Sequence, residues 1–253
     1  MHYKYNQGNI FLVYFDKRKW SKNIFDINKT MTVSLWVLVL LICISMFLFY
    51  TVPETFVNAE PEEYVTVIPN FLSRSECESL AAAGMKKGLE YSEVGGGTEE
   101  DPSKLDLDSR KSRQTWFVGG EHPVSDKLRE KTKEFLSTRS PSVGKYSTED
   151  VQVARYTKGG YYYHHFDGDD CTDNCPSNQR ICTMLVYLKA PESGGETDFP
   201  TLKKSVTPEQ GTAVFFWVSN PQTLKLYKQT LHAGMPVKRG VKMIATQWIR
   251  ATN

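Results

Sequence analysis

With 253 residues, 40% of them hydrophobic and 24% charged, the chain has the size of one or two domains and is too apolar for a disordered one. Its formal net charge of +2 singles out no nucleic-acid partner. Residues 1–30 hold six basic and two acidic groups, which leaves 25 basic and 27 acidic groups beyond, a slightly acidic larger part.

Residues 1–30 read as a basic leading segment, and no charged residue occurs between Thr30 and Pro53. Val33 to Tyr50 is almost pure hydrocarbon, and with its neutral flanks it reaches the roughly 20 residues that a helix needs to span about 30 Å of bilayer core. Lys4, Lys17, Arg18, Lys19, Lys22 and Lys29 precede it, and Glu54, Glu60, Glu62 and Glu63 follow. The positive-inside rule then sets the N-terminus in the cytosol. The organisation expected is a transmembrane signal anchor at 31–52, a stem at 53–64 and one domain at 65–253 on the far side of the membrane. A cleaved signal peptide competes with this, because Val57-Asn58-Ala59 has the small-residue pattern of a cleavage site. A start at Met31 would remove the basic flank. Either way, the remaining chain meets an oxidising compartment.

Cys43 lies in the apolar run, leaving Cys77, Cys171, Cys175 and Cys182. The spacing of Cys171 and Cys175 offers zinc only two ligands, so a disulfide among Cys171, Cys175 and Cys182 is expected, with its connectivity open. Asn28 begins the sole Asn-X-Ser/Thr sequence, on the cytosolic side, so no N-glycan is expected on the larger domain.

Beyond the stem, Val65 to Ile68 alternates as a strand. Ser73 to Glu76 has the form of a capping box opening a helix to about Lys87. Tyr91 to Arg110, with its Gly95-Gly96-Gly97 run, reads as a long loop. A second helix is expected from Ser125, with Val124, Leu128, Phe135 and Leu136 on one face. His122, in the turn before it, is expected to be solvated. From residue 151 the pattern becomes short strands: Val151 to Tyr156, Tyr161 to Phe166, Ile181 to Leu188, Gly211 to Val218 and Val241 to Ile249. Helices first and strands after give an α+β class, mainly β, as a sandwich or barrel supported by helices.

Two features of this β region carry chemistry. In an extended strand, His165 and Asp167 project to one face, and His164 to the other. His232, far downstream, adds a third ligand if the sheet folds back. Two histidines and a carboxylate with open positions opposite suit non-haem Fe(II), although surface or core histidines share such spacing. Lys242 lies in an apolar strand in which 242, 244, 246 and 248 share a face. Its ammonium must therefore meet an anion there, unless the face turns to solvent at that point.

The ordered blocks Arg110-Lys111-Ser112, Val151 to Tyr156, Tyr162 to Asp167, Arg180 to Leu188, Gly194 to Pro200 and His232 to Trp248 resemble the catalytic domain of the prolyl 4-hydroxylase family. These enzymes are 2-oxoglutarate- and Fe(II)-dependent dioxygenases, and the resemblance covers about Val65 to Ile249. It implies a double-stranded β-helix, or jelly roll, with helices on one side. It also implies that His165, Asp167 and His232 bind Fe(II). Lys242 would pair with the distal carboxylate of 2-oxoglutarate, Tyr156 would bond to it, and Thr183 and Thr246 are second-rank candidates for the same pocket. Tyr162, Arg180, Trp248 and Arg110 would surround a proline-bearing peptide. Against these roles, Tyr162 and Trp248 could be core aromatics, and Arg180 could pair with Asp169 or Asp170. The implied reaction turns peptidyl proline, 2-oxoglutarate and dioxygen into 4-hydroxyproline, succinate and carbon dioxide, with L-ascorbate as reductant. The implied setting is the membrane of the endoplasmic reticulum or Golgi, with the catalytic domain lumenal.

The chain departs from the family pattern at Met243 and Met235, neither of which touches the ligand set, and at Arg250 and the segment 168–179, which put peptide choice in doubt. The same iron chemistry on lysine or a small molecule is an alternative function, and a non-catalytic sandwich that binds without turnover is another. A partner subunit and the oligomeric state are open.

Overall fold

The computed structural model describes residues 37–38, 40–42, 60–92, 109–139, 141–171 and 173–252. The chain divides into two units, Met1–Phe56 and Val57–Asn253. In the first, Val37, Leu38, Leu40, Leu41 and Ile42 are helical and exposed. The rest of the expected anchor lies outside the described residues, as do the basic segment and most of the expected loop between Tyr91 and Arg110. No helix among the described residues is long and apolar enough to cross a membrane.

The second unit runs β1 (Val65–Ile68), α1 (Arg74–Lys87), β2 (Glu90–Tyr91), β3 (Arg113–Phe117), α2 (Pro123–Ser137), β4 (Tyr146–Thr148) and β5 (Val151–Tyr156). It continues through β6 (Tyr162–His165), β7 (Arg180–Lys189), β8 (Ser193–Gly194), β9 (Thr197–Phe199), β10 (Lys204–Val206), β11 (Ala213–Trp217), β12 (His232–Gly234), β13 (Val237–Arg239) and β14 (Lys242–Ala251).

Capping chemistry sets where the helices begin. Ser73 Oγ accepts from the Glu76 N–H at 3.3 Å, and Glu76 Oε2 accepts from the Ser73 N–H at 2.8 Å, so the capping box read from the sequence is formed. Helix α2 starts two residues ahead of the expected Ser125. Pro123 takes the first turn, where its missing N–H costs nothing, and His122 Nδ1 accepts from the Val124 N–H at 3.2 Å. His122 is therefore a half-buried cap and not the solvated side chain expected.

Among the described residues, a large antiparallel sheet has the order β1-β11-β7-β14-β5-β3-β2, with β4 added beside β14. A smaller sheet has the order β10-β9-β12-β6, and β8 pairs with β13. Alternation gives the large sheet two faces. The outer one carries Val153, Met184, Val186, Phe215 and Ala245 under the two helices, whose Leu80 and Leu128 are fully buried. Each such side chain contributes roughly 1.5–3 kcal/mol relative to exposure. α1 lies so close to β5 that a Cβ on Gly84 would sit 2.9 Å from Val153 Cγ1.

The inner face carries Ala154, Leu185, Tyr187, Val214, Phe216 and Ile244, packed against Phe199, Val206 and Val237. Two sheets face to face with helices outside make a jelly-roll-like sandwich, mainly β as the sequence indicated. Register keeps chemistry on the inner face. Trp116 lies opposite Gln152, Gln152 opposite Thr246, and Thr246 opposite Leu185, across β3, β5, β14 and β7.

Candidate metal and cosubstrate site

His165 ends β6 and His232 begins β12, directly opposite each other in the smaller sheet. Asp167 follows two residues after the end of β6. One ligand atom from each of the three lies within 4.8 Å of the others. His165 Nε2 is 3.5 Å from Asp167 Oδ1, and His232 Nε2 is 3.8 Å from the same oxygen. Donors about 2.1 Å from one ion stand roughly 3–4 Å apart, so these spacings admit a shared metal.

The surroundings aim these donors. His165 Nδ1 donates to the Tyr163 carbonyl at 2.7 Å, and His232 Nδ1 to the Thr230 carbonyl at 3.0 Å. A carbonyl only accepts, so both Nδ1 atoms carry a proton, and both Nε2 atoms are the ones turned toward Asp167. Burial pushes His232 down to about 4, so its imidazole is neutral at ordinary pH. Burial alone would raise the Asp167 carboxyl, but His232, His165 and Arg180 hold it well below the usual carboxylate range. Among the described residues no fourth His, Cys, Asp or Glu joins the three. Two imidazoles with one carboxylate, open on the other side, fit octahedral iron better than a closed structural zinc site.

Thr183 is placed differently from the expectation. Its hydroxyl donates to Asp167 Oδ2 at 2.7 Å, and it does not line the cosubstrate cavity. The inner face of β7 turns position 183 to Asp167, while Leu185, two residues on, meets the cavity. Thr183→Val is expected to weaken metal affinity about 10–100-fold with little change in fold, measurable as bound iron after dialysis against graded chelator.

Behind the three ligands the cavity is lined by Tyr156, Leu185, Thr197, Lys242, Ile244 and Thr246. Lys242, Ile244, Thr246 and Trp248 all reach it, as strand alternation requires. Lys242 is 2% exposed, and among the described residues it has no carboxylate within ion-pair distance. Burial lowers its amine to about 7, against a smaller opposing pull from Glu196. Tyr156 lies directly opposite Lys242 on β5.

Toward the mouth, the cavity merges with a wider groove that shares Arg110, Gln152, Tyr162, Asp167 and Trp248 with it. Tyr162 and His165 differ in parity yet stack ring on ring at 3.5 Å. A β-bulge makes this possible: His232 pairs with His165, but Gly234 pairs with Tyr162, so β6 spends an extra residue. Arg110 is buried, with its guanidinium 4.7 Å over the Tyr162 ring and donating to Ser112 Oγ and Gln152 Oε1.

Arg180 pairs with Glu149, through bonds of 2.6 and 2.7 Å, and not with Asp169 or Asp170. Although burial favours its neutral form, Glu149 and Asp167 keep the guanidinium charged. It also covers the Trp248 ring at 4.2 Å, and Arg250 Nε reaches Glu149 Oε1 at 2.7 Å. Sequence reading missed Glu149, because its only distinction is a tertiary one, sitting between two arginines. It also missed Gln152, although its place on the inner face of β5 followed from alternation with Tyr156.

His164 faces outward beside Asp198, as expected. Cys171 and Cys175 form the disulfide, while Cys77 and Cys182 are free and buried in the core. Gly168, Asp169 and Gln179 of the segment around that disulfide line the groove.

Residues 151–250 match the model of the 2OG-Fe(II) oxygenase superfamily. A protein from Acanthamoeba polyphaga mimivirus assigned as a prolyl 4-hydroxylase is 30% identical over 197 residues, covering 76% of each chain. Prolyl 4-hydroxylase subunit alpha-2 of Caenorhabditis elegans is 32% identical over 71% of this chain, which spans only 33% of that longer protein. Among solved structures, the viral collagen prolyl hydroxylase of Paramecium Bursaria Chlorella virus-1, in its 2OG complex, is 53% identical. It superposes with a TM-score of 0.66 over 76% of this chain and 98% of that one.

Proposed function

The chain belongs to the prolyl 4-hydroxylase family of 2-oxoglutarate- and Fe(II)-dependent oxygenases, and from that premise we propose that it hydroxylates peptidyl proline at the 4-position. One observation carries the reading: a buried ammonium without an anion, Lys242, shares a cavity with an open set of two histidines and an aspartate. A dicarboxylate that reaches the metal with one end and Lys242 with the other satisfies both.

In this reading His165, Asp167 and His232 hold Fe(II), and Lys242 and Tyr156 hold the distal carboxylate of 2-oxoglutarate, beside Thr246. Together, Fe(II) and 2-oxoglutarate supply the oxidising power, dioxygen being split between succinate, formed with loss of carbon dioxide, and the hydroxyl delivered to the substrate carbon. The chain contributes geometry and dryness. Thr183 holds one oxygen of Asp167 aside, and the apolar walls Leu185 and Ile244 exclude water. L-ascorbate would serve as the reductant for iron oxidised without turnover.

The groove suits proline-bearing peptide. Tyr162, Trp116 and Trp248 line it with aromatic surface for pyrrolidine, and Arg110, Arg180 and Gln152 line it with donors for backbone carbonyls. A proline brings carbonyl and apolar ring but no N–H, so it asks for such walls. Freeing the two arginines with Glu149→Gln is expected to raise the KM for peptide about tenfold and leave that for 2-oxoglutarate within twofold, from initial rates of succinate release.

The cosubstrate should also show a pH signature. Below about pH 7 the empty pocket already carries the charged amine; above it, 2-oxoglutarate binding must take up a proton. The dissociation constant is expected to be flat below that point and to rise up to about tenfold per pH unit above it, measured by calorimetric titration.

Succinate release from labelled 2-oxoglutarate, with and without collagen-like, poly-proline and Ser/Pro-rich peptides, tests the function. Stimulation by a proline peptide supports it, whereas stimulation only by lysine-bearing or small-molecule acceptors moves the same chemistry elsewhere. We further propose a lumenal, membrane-anchored enzyme, supported by the charge asymmetry about the apolar run at 33–50 and by the Cys171–Cys175 disulfide.

A further inference from the structure

Lys242 raises a physical question that its role as an anion partner leaves open: what accommodates a buried ammonium before the anion arrives? A desolvated charge without a partner is costly, and the nearest electrostatic support, Glu196, is not in ion-pair contact. Two aromatic rings supply the missing contact. The Nζ atom lies 5.5 Å from the ring centroid of Tyr156 and 5.5 Å from that of Tyr187. Both distances are within the reach of a cation–π interaction, which is strongest where water is absent.

The rings are held in place. Tyr156 stands opposite Lys242 on β5, and Tyr187 opposite Ile244 on β7, so one strand on each side of β14 contributes a ring. Tyr187 is fully buried, and its hydroxyl is fixed by Thr197 Oγ1 at 2.7 Å, with the Val206 carbonyl at 3.4 Å. The lysine stem is confined as well. A Cβ on Gly195 would come within 3.3 Å of Lys242 Cδ, and one on Gly234 within 4.0 Å of its Nζ. The ammonium therefore has little room except beside the two rings, facing the cavity.

We propose that Tyr187 is a positioning residue for cosubstrate binding: its ring, with that of Tyr156, keeps the Lys242 ammonium centred in the cavity, ready for a distal carboxylate. The inference rests on reading the cavity as the 2-oxoglutarate pocket. It assigns a role in affinity to a tyrosine whose burial and hydrogen bonds would otherwise describe a core residue. The chemistry is the quadrupole of the ring, not the phenol, so shape and electronics can be separated.

The test is equilibrium binding to the Fe(II)-loaded enzyme under anaerobic conditions, followed by titration calorimetry. The probes are 2-oxoglutarate and 2-oxovalerate, which has the same chain without the distal carboxylate. Tyr187→Phe is expected to bind 2-oxoglutarate within about twofold of the native protein, and Tyr187→Leu about tenfold more weakly, with 2-oxovalerate unchanged in both. Phenylalanines of increasing ring fluorination at position 187 keep the shape and drain the quadrupole. They are expected to weaken 2-oxoglutarate stepwise, which covers the case in which the leucine variant fails to fold. Native affinity in the fluorinated series, or equal losses for both oxoacids, overturns the proposal. Failure of the native protein to bind 2-oxoglutarate overturns instead the reading of the pocket, and the inference with it.

Discussion

Replacing Lys242 with methionine is expected to abolish cosubstrate binding while raising the thermal stability of the protein without ligand. The first effect follows from removing one partner of a desolvated charge pair, which costs about 3–5 kcal/mol, or roughly 200- to 5,000-fold in the dissociation constant of 2-oxoglutarate. The second follows from the burial of that charge in the empty pocket. The folded-state amine is lowered to about 7 from its ordinary 10.5, so the unfolded chain holds the proton more tightly. The penalty on folding is full below about pH 7, shrinks as pH rises from there, and vanishes above the unfolded value. Methionine fills a similar volume without the charge, so its gain in stability should be largest near pH 6.5 and small near pH 10, a few kcal/mol at most, with Tm following the same order. Melting curves at the two pH values, beside a calorimetric titration with 2-oxoglutarate, check both halves. A less stable variant that retains native affinity would contradict the reading of the pocket.

Asp167→Ala is the second large effect. The carboxylate faces both imidazoles and is held by Thr183, so its loss leaves two imidazole donors, too few to retain iron. Metal affinity should fall well over 100-fold, beyond the 10–100-fold typical of supporting residues, and turnover should disappear. Circular dichroism should be native, because Asp167 follows β6 outside any strand and belongs to neither hydrophobic core cluster. Bound iron measured by elemental analysis, together with turnover, separates loss of metal from loss of fold. Full iron occupancy in the variant would remove Asp167 from the ligand set.

How much of this was readable from sequence depends on whether a residue's position follows from local periodicity or from tertiary contact. The inner face of β14, with Lys242, Ile244, Thr246 and Trp248 in alternation, follows from a period of two, and the capping box of α1 follows from Ser73 and Glu76 alone. Alternation also sets His165 apart from His164. It fails at Tyr162, because a bulge in β6 is an insertion relative to β12, and no single strand reveals its partner's register. Thr183, a second-rank candidate for the cosubstrate pocket by resemblance, bonds to Asp167 instead of lining the cavity, a placement that depends on where the chain after β6 meets β7. Neither Glu149 nor Tyr187 is singled out by its local pattern. One matters because two arginines from two different strands, Arg180 of β7 and Arg250 of β14, converge on it, and the other because a lysine from the neighbouring strand ends beside its ring. His122 was missed because capping is associated with hydroxyls and short carboxylates, whereas here an imidazole nitrogen does the work.

The central claim is that one cavity couples iron, a dicarboxylate and a proline-bearing chain. The most direct measurement is the product balance of the purified protein supplied with Fe(II), 2-oxoglutarate, ascorbate and a proline-rich peptide, with succinate and modified peptide quantified together by mass spectrometry. The result expected is one succinate for each 4-hydroxyproline, both lost in the His165→Ala protein. Succinate formed at a rate indifferent to every proline peptide, with no oxygen atom found on proline, would contradict it.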